Sequence, residues 1–467
     1  MHDLVIRNGL VATGFGPLRC DVGVAGGRIV SLGADIPGGE QVIDAAGLLV
    51  LPGGVDSHCH IEEPRPNGTC SEESFITASR SAFAGGTTTV VSFIPQWKGH
   101  GVWERYLDYQ ARAATGMLDH AFHQIITDPT DVVMEEEVPR IVAEGVRSLK
   151  VFLTYDPLHL NDAQYIRVLE AARTLGCLVT VHCENYEAIQ WRTKRLLEAG
   201  RTDPKYHAWS RPPVVEREAT QRAIALAELV DQPIQVFHVS CEAAAAEIAA
   251  AQARGLKVWG ETCPQYVTLT ASHMARPDGA LFMCSPPPRG ADEHAKIWEM
   301  IRRGTLNVIT SDHCAFSTGA KTGLDFSEIP NGIPGLAARL PLIYSEGVSK
   351  GRISLEQFCA LVATNPAKLM GLYPRKGVIA PGSDADMVLW DPIKQVRITN
   401  ALMQHAVDNT PYEGIEVKGW PVVTIRRGEV VMRDGVVHAQ PGSGQYLARG
   451  AYDLARPRGV TADGFGA

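Results

Sequence analysis

Apolar and polar positions along this chain keep two different rhythms. Near both ends, short apolar runs are broken by glycine turns. At the start these are Leu4-Val-Ile-Arg-Asn-Gly, Val22-Gly-Val-Ala-Gly-Gly-Arg-Ile-Val and Gln41-Val-Ile-Asp. At the end they are Ala385-Asp-Met-Val-Leu-Trp, Pro421-Val-Val-Thr-Ile-Arg-Arg-Gly and Glu429-Val-Val-Met-Arg-Asp-Gly. Such runs predict strands, and Gly26-Gly27 suits a two-residue hairpin. Residues 1–50 and 376–467 are therefore expected to close one small β-sandwich domain from the two termini. From about Ala439 the chain is Gly- and Pro-rich without periodicity, which predicts a loose tail.

Residues 51–375 alternate short β-branched runs with longer amphipathic stretches. Strands are expected from Leu49, Thr87, Ala121, Ser148, Cys177, Ile234, Lys257 and Asn307. Between the first two, a Thr69-x-x-Glu72 capping box opens a helix that stops at Gly85-Gly86. Asn161-Asp162 caps another helix, running to Gly176 with apolar spacing at Ile166, Leu169, Ala172 and Leu175. Eight strands alternating with helices predict an α/β fold, a (β/α)₈ TIM-like barrel whose active site lies at the C-terminal strand ends.

Composition mainly excludes. Net charge is -8 and no run of Lys or Arg occurs, which argues against a nucleic-acid partner. No stretch approaches the roughly 20 apolar residues of a membrane span. The start, Met1-His2-Asp3-Leu4, has no basic-then-apolar export pattern. None of the 10 cysteines is spaced Cys-x-x-Cys, so reduced thiols and a cytoplasmic location are expected.

The candidate chemistry stands at the strand ends. His58 and His60 flank Cys59 on an extended segment, so both imidazoles point one way. Lys150 lies on the fourth strand, His182 and His238 end the fifth and sixth, and Asp312 ends the eighth. Alone, each reads as a core histidine, a snorkelling lysine or a helix cap. Together they form one set: four imidazoles and a carboxylate that can hold two divalent metals, with zinc suiting the donors and manganese, cobalt or iron fitting the same frame. Lys150, if buried and neutral, can add carbon dioxide and bridge the pair as a carbamate. A water held between metals about 3.5–4 Å apart deprotonates near neutral pH and becomes the nucleophile. Asp312 can ligate one metal and carry the proton, first as base and then as acid to a leaving nitrogen.

These residues carry a family resemblance. The chain resembles the amidohydrolase superfamily, in its hydantoinase/dihydropyrimidinase branch, through Pro52-Gly-Gly-Val-Asp-Ser-His-Cys-His, Ser148-Leu-Lys-Val-Phe-Leu-Thr-Tyr155 and Val181-His-Cys-Glu-Asn. Tyr206-His-Ala-Trp-Ser-Arg-Pro-Pro, Gly260-Glu-Thr-Cys-Pro-Gln-Tyr, Met283-Cys-Ser-Pro-Pro, Thr310-Ser-Asp-His-Cys and Ile329-Pro-Asn-Gly-Ile-Pro-Gly extend it over most of the sequence. The resemblance implies hydrolysis of a small cyclic amide or ureide, a 5-substituted hydantoin or a dihydropyrimidine, to an N-carbamoyl amino acid. It implies that Tyr155 binds substrate and steadies the oxyanion, and that backbone groups at Ser285 and Asn331 hold the ring. His123 and the Cys263-Pro264 segment are left with packing or supporting roles. A homo-oligomer, dimer or tetramer, is also implied.

Some positions depart from the family. Relatives commonly read His-Thr-His-Leu-Asp, and here His58-Cys-His-Ile-Glu62 is followed by Glu63-Pro-Arg-Pro-Asn-Gly-Thr69. That loop, Phe93-Ile-Pro-Gln-Trp-Lys98 and the loop after Tyr155 resemble those that gate the exocyclic group. Dihydroorotase resembles the chain but carries an arginine where Glu62 stands; Glu62 is expected to repel a substrate carboxylate, and Arg65 is the possible substitute. Allantoinase and imidase share the ligand set, with Tyr155 favouring the hydantoinase side. A non-catalytic scaffold of this branch is the remaining alternative, and the intact ligand set argues against it.

Overall fold

The computed structural model describes residues 1–64 and 71–460. Eight parallel strands form the barrel: β1 (Gly54–His60), β2 (Thr87–Ile94), β3 (Asp119–Ile125), β4 (Ser148–Phe152), β5 (Leu178–His182), β6 (Ile234–Val236), β7 (Val258–Thr262) and β8 (Leu306–Ile309). Neighbours pair in chain order. The seam closes where the chain beyond β8 reaches His313–Cys314 and pairs with Cys59 and His60 of β1. The strands are buried along nearly their whole length, as parallel strands covered by helices must be.

At the foot of the seam lies Arg339, fully buried. Its guanidinium donates to the carbonyls of Val55 (3.1 Å), Ile309 (3.0 Å) and Val362 (3.1 Å) and to Thr87 Oγ1 (2.9 Å). Asp56 supplies the counter-charge at 3.5 Å. One side chain thus ties β1, β2 and β8.

The remaining strands form two sheets that enclose their own apolar core, with Leu4, Val22 and Ile29 packed among Met387, Leu389 and Ile425. Strands from both ends of the chain interleave in the larger sheet: Leu49–Pro52 runs antiparallel to Met387–Arg397 and parallel to Leu10–Thr13. The expected hairpin is present, with Ala25 opposite Arg28 and both Gly26 and Gly27 at positive φ. Under the barrel, Lys376 Nζ contacts carboxylates of Asp119, Asp386 (2.8 Å) and Asp384 (3.1 Å), joining β3 to the sandwich.

The structure corrects three local expectations here. The first barrel strand starts at Gly54, not Leu49; one apolar run serves two sheets, broken at Gly53, where an added Cβ would come within 2.4 Å of Thr88 Oγ1. Thr69 of the expected capping box lies outside the described residues. The helix Phe75–Ala84 is instead capped by Ser74, in a box with Thr77. The helix Asp162–Leu175 has its predicted Asn161 cap and Gly176 stop. Its buried stripe is Tyr165, Val168, Leu169 and Ala172, rotated from the expected one so that the Tyr165 ring fills the core.

The tail up to Val460 is a strap. It crosses the face where the strands begin: Leu447 N donates to His120 O (2.7 Å), Arg449 binds Ser148 Oγ (3.2 Å) and the Phe122 carbonyl, and Lys257 Nζ donates to Asp453 O (2.8 Å) and Arg456 O (2.7 Å). Its periodicity is weak because side chains reaching several strand starts, not a regular face, hold it down. No helix among the described residues is long and apolar enough to cross a membrane.

Candidate metal centre

β1 separates its residues as the period of two requires. Cys59 joins the apolar core, while His58 and His60 face the barrel mouth. His58 Nδ1 donates to the buried Glu261 (2.6 Å), and His60 Nδ1 donates to Glu63 (2.6 Å). Both Nε2 lone pairs are therefore directed elsewhere, toward Asp312: its Oδ1 lies 3.1 Å from His58 Nε2 and 3.9 Å from His60 Nε2. His58, His60 and Asp312 form a cluster whose donor atoms lie within 4.8 Å of one another and could hold a metal ion.

The other three expected ligands line the same cavity without joining that cluster. His58 and His238 have ring centroids 5.3 Å apart, and His238 and His182 have theirs 4.3 Å apart. His182 Nε2 lies 2.8 Å from Glu184, which leaves Nδ1 as its donor atom for a metal. Lys150 is fully buried over the rings of Phe237 (4.2 Å) and Phe152 (4.7 Å), and its amine has no hydrogen-bond partner among the described residues. Burial pulls its pKa down to about 8, against the opposing pull of Asp312 and Glu261. Burial, then the Lys150 charge, hold His58 and His182 well below the ordinary imidazole range. For His238, burial and the neighbouring His182 do the same. His60 is the exception: burial lowers it, but Glu63 more than compensates and raises it.

Imidazoles, three of them held neutral by burial, a carboxylate and a buried amine without a partner among the described residues are a donor set that suits divalent cations. The residues therefore fit the metals the fold implies, and Lys150 is the group whose polar atom most needs a bound partner.

Asp312, His238 and Tyr155 carry positive φ of 48°, 40° and 70°. Asp312 and His238 stand beyond the ends of β8 and β6, so these turns, and not the strands themselves, aim the side chains. Non-glycine residues held in that region mark sites where the surrounding structure overrides local preference. Tyr155 follows β4 with its ring 5.2 Å from that of His182, and burial raises its phenol, which stays protonated. Ser285, within hydrogen-bond reach of the Tyr155 phenol, and Asn331 line with it a cavity of about 440 Å³. That cavity is lined by all nine residues singled out above as ligands or substrate contacts. Trp97, Pro157 and Leu158, from two of the loops singled out above, also line it; Arg65 lies outside the described residues.

Glu62 corrects an expectation. It faces away from the cavity, accepting from Phe75 N (2.9 Å) at the start of the helix Phe75–Ala84. Glu63 lines the cavity in its place, so an acidic wall is present one residue later. His123 has a packing role, its Nε2 donating to Ser57 O (2.9 Å) and its ring stacked on Phe93. Four supporting residues were not singled out: Glu63, Glu184, Glu261 and Arg211, whose guanidinium holds Glu184 (2.7 Å) and lies 5.4 Å from the Tyr155 ring. A signal existed for Glu261, a carboxylate inside a barrel strand, and for Glu184, two residues past a candidate ligand.

A (β/α)₈ barrel with a histidine–carboxylate cluster and a buried lysine at its C-terminal mouth defines the class: a barrel enzyme equipped for metal-assisted hydrolysis. The amidohydrolase family profile matches residues 49–431. D-hydantoinase of Ralstonia pickettii is 42% identical over 457 residues, covering 96% of this chain and 99% of its own. D-hydantoinase of Geobacillus stearothermophilus is 42% identical over 458 residues, covering 96% and 97%. The crystal structure of dihydropyrimidinase from Brevibacillus agri superimposes with a TM-score of 0.93 at 40% identity, covering 96% of this chain and 99% of that one. The chain belongs to the amidohydrolase family.

Proposed function

We propose that this protein is a cyclic amidase that opens a 5-substituted hydantoin or a dihydropyrimidine ring to an N-carbamoyl amino acid. The observation that carries this reading is the convergence of His58, His60, Lys150, His182, His238 and Asp312 on one cavity that also holds Tyr155, Ser285 and Asn331. Similarity to D-hydantoinases over nearly the whole chain, at 42% identity, supports the substrate class.

Those six residues would hold two divalent metals, zinc by donor preference. Bound there, such ions lower the pKa of water and polarise the scissile carbonyl. The Lys150 amine can add to carbon dioxide, forming an N–C bond and losing a proton, and the resulting carbamate would help hold the ions. Backbone groups at Ser285 and Asn331 hold the ring within reach of Tyr155. The Tyr155 phenol donates to the carbonyl oxygen as that oxygen gains negative charge. Asp312 accepts the proton released as water adds, then returns it to the ring nitrogen as the C–N bond breaks. Glu63, facing the cavity, disfavours a substrate carboxylate and so disfavours dihydroorotate. Exposed Trp191 and Trp209 support a homo-oligomer, and free, mostly buried cysteines support a cytoplasmic setting.

A panel of 5-substituted hydantoins, dihydrouracil, allantoin, dihydroorotate and simple imides tests the reading, with turnover of the first two expected. Lys150→Ala is expected to lose most bound metal, measured by elemental analysis, and most activity. High activity in that variant with both metals retained would remove the carbamate from the mechanism.

A further inference from the structure

Lys321 is a buried cation outside the metal centre. It ends the short helix Thr318–Lys321 and is 2% exposed. Among the described residues no carboxylate is ion-paired with it. Its ammonium instead donates to three backbone carbonyls: Met283 (3.0 Å), Ala280 (3.3 Å) and Gly332. An ammonium has three N–H groups, so these acceptors satisfy it completely. A buried charge without a counter-ion persists only where such bonds replace water.

The position of those carbonyls gives the arrangement its meaning. Met283 lies two residues before Ser285, and Gly332 follows Asn331. The two segments also touch directly, through Gly332 N to Met283 O (3.0 Å). On its other side, the second segment is fixed to the closing strand, through Cys314 N to Ile333 O (3.0 Å). Gly332 packs so closely there that an added Cβ would lie 2.6 Å from Cys314 O. Met283 O thus accepts from both Lys321 and Gly332, and Gly332 O receives a further Lys321 bond. The Ser285 and Asn331 segments, which line the cavity together with Tyr155, share one fastening point.

We propose that Lys321 is a positioning residue for substrate, a staple that sets the spacing between the Ser285 and Asn331 backbones and so the fit of the ring between them. It touches neither substrate nor metal. The assignment rests on the reading that those backbones hold a cyclic amide.

The test compares Lys321→Met, which keeps the apolar stem but removes all three donors, with Lys321→Gln, which keeps two, in the metal-loaded enzyme. The substrate is whichever hydantoin or dihydropyrimidine the wild type turns over. For Lys321→Met, KM is expected to rise at least tenfold, with kcat within threefold of wild type and metal content unchanged. Lys321→Gln is expected to recover part of the loss. Hydrogen exchange should accelerate at residues 280–286 and 329–333 and stay unchanged along the barrel strands. An unchanged KM in folded Lys321→Met overturns the proposal. So does a joint fall of kcat and metal content, which would make the residue a general scaffold, or failure of both variants to fold, which would make it a stability residue. A wild-type enzyme that opens no cyclic amide would instead sink the substrate reading, before Lys321 is tested.

Discussion

Glu261 and Glu63 do equivalent work for His58 and His60. Each accepts an Nδ1 hydrogen, fixes the tautomer and leaves Nε2 free toward Asp312. Tyr155 is set differently, by a strained backbone and by Arg211 beside its ring. Its phenol is the candidate donor to the oxyanion, so Tyr155→Phe is expected to lower kcat by about 10²–10³-fold with metal content unchanged, measured by steady-state kinetics and elemental analysis. An unchanged rate would leave Tyr155 a packing role only. At this scale the sequence made the candidate ligands legible and hid their supports. His58 and His60 follow from a period of two. Glu63 does not, because Glu62 sits at a φ of 47° and turns the chain, so that the neighbour expected to face the cavity caps a helix and the next residue enters instead.

Among elements, the barrel strands were legible because short β-branched or apolar runs alternate with longer amphipathic stretches. What pattern cannot give is which sheet a run joins. Leu49–Pro52 and Gly54–His60 read as one strand, and the partners of the first at Met387–Arg397 and Leu10–Thr13 separate them. Arg339 was equally invisible, since an arginine at the bottom of a barrel has no periodic signature. It satisfies carbonyls from β1 and β8 and neutralises Asp56, whose other oxygen accepts from Ser311 N (3.1 Å) next to Asp312. Arg339→Met strands a buried carboxylate and is expected to cost about 3–5 kcal/mol, measured by denaturant unfolding. A loss below about 1 kcal/mol would show that the seam closes by strand pairing alone.

Across the molecule, sandwich and barrel are joined by the buried charges around Lys376. Burial alone would raise the Asp386 carboxyl, but Lys376 more than reverses this and holds it below the ordinary carboxylate value. Burial alone would lower Lys376, but Asp386, Asp119 and Asp384 raise it above the ordinary lysine value. The stability from Asp386 is therefore complete above a pH of about 4 and lost as pH falls through its depressed folded value; that from Lys376 is complete below about 10.4 and lost above its raised one. Melting temperature is expected to be flat near neutrality and to drop in acid. Asp386→Asn should melt lower at pH 7, with the gap to wild type narrowing below about pH 4; a gap independent of pH would exclude the linkage. The same foot of the barrel carries the strap, whose last described residue, Val460, is anchored through its N–H to Asp231 (3.0 Å) before β6. The cavity opens at the other end of the strands. Coupling the protein to a bead near Val460 would therefore turn its mouth toward the liquid, and an immobilised preparation should admit its reactant as freely as one in solution.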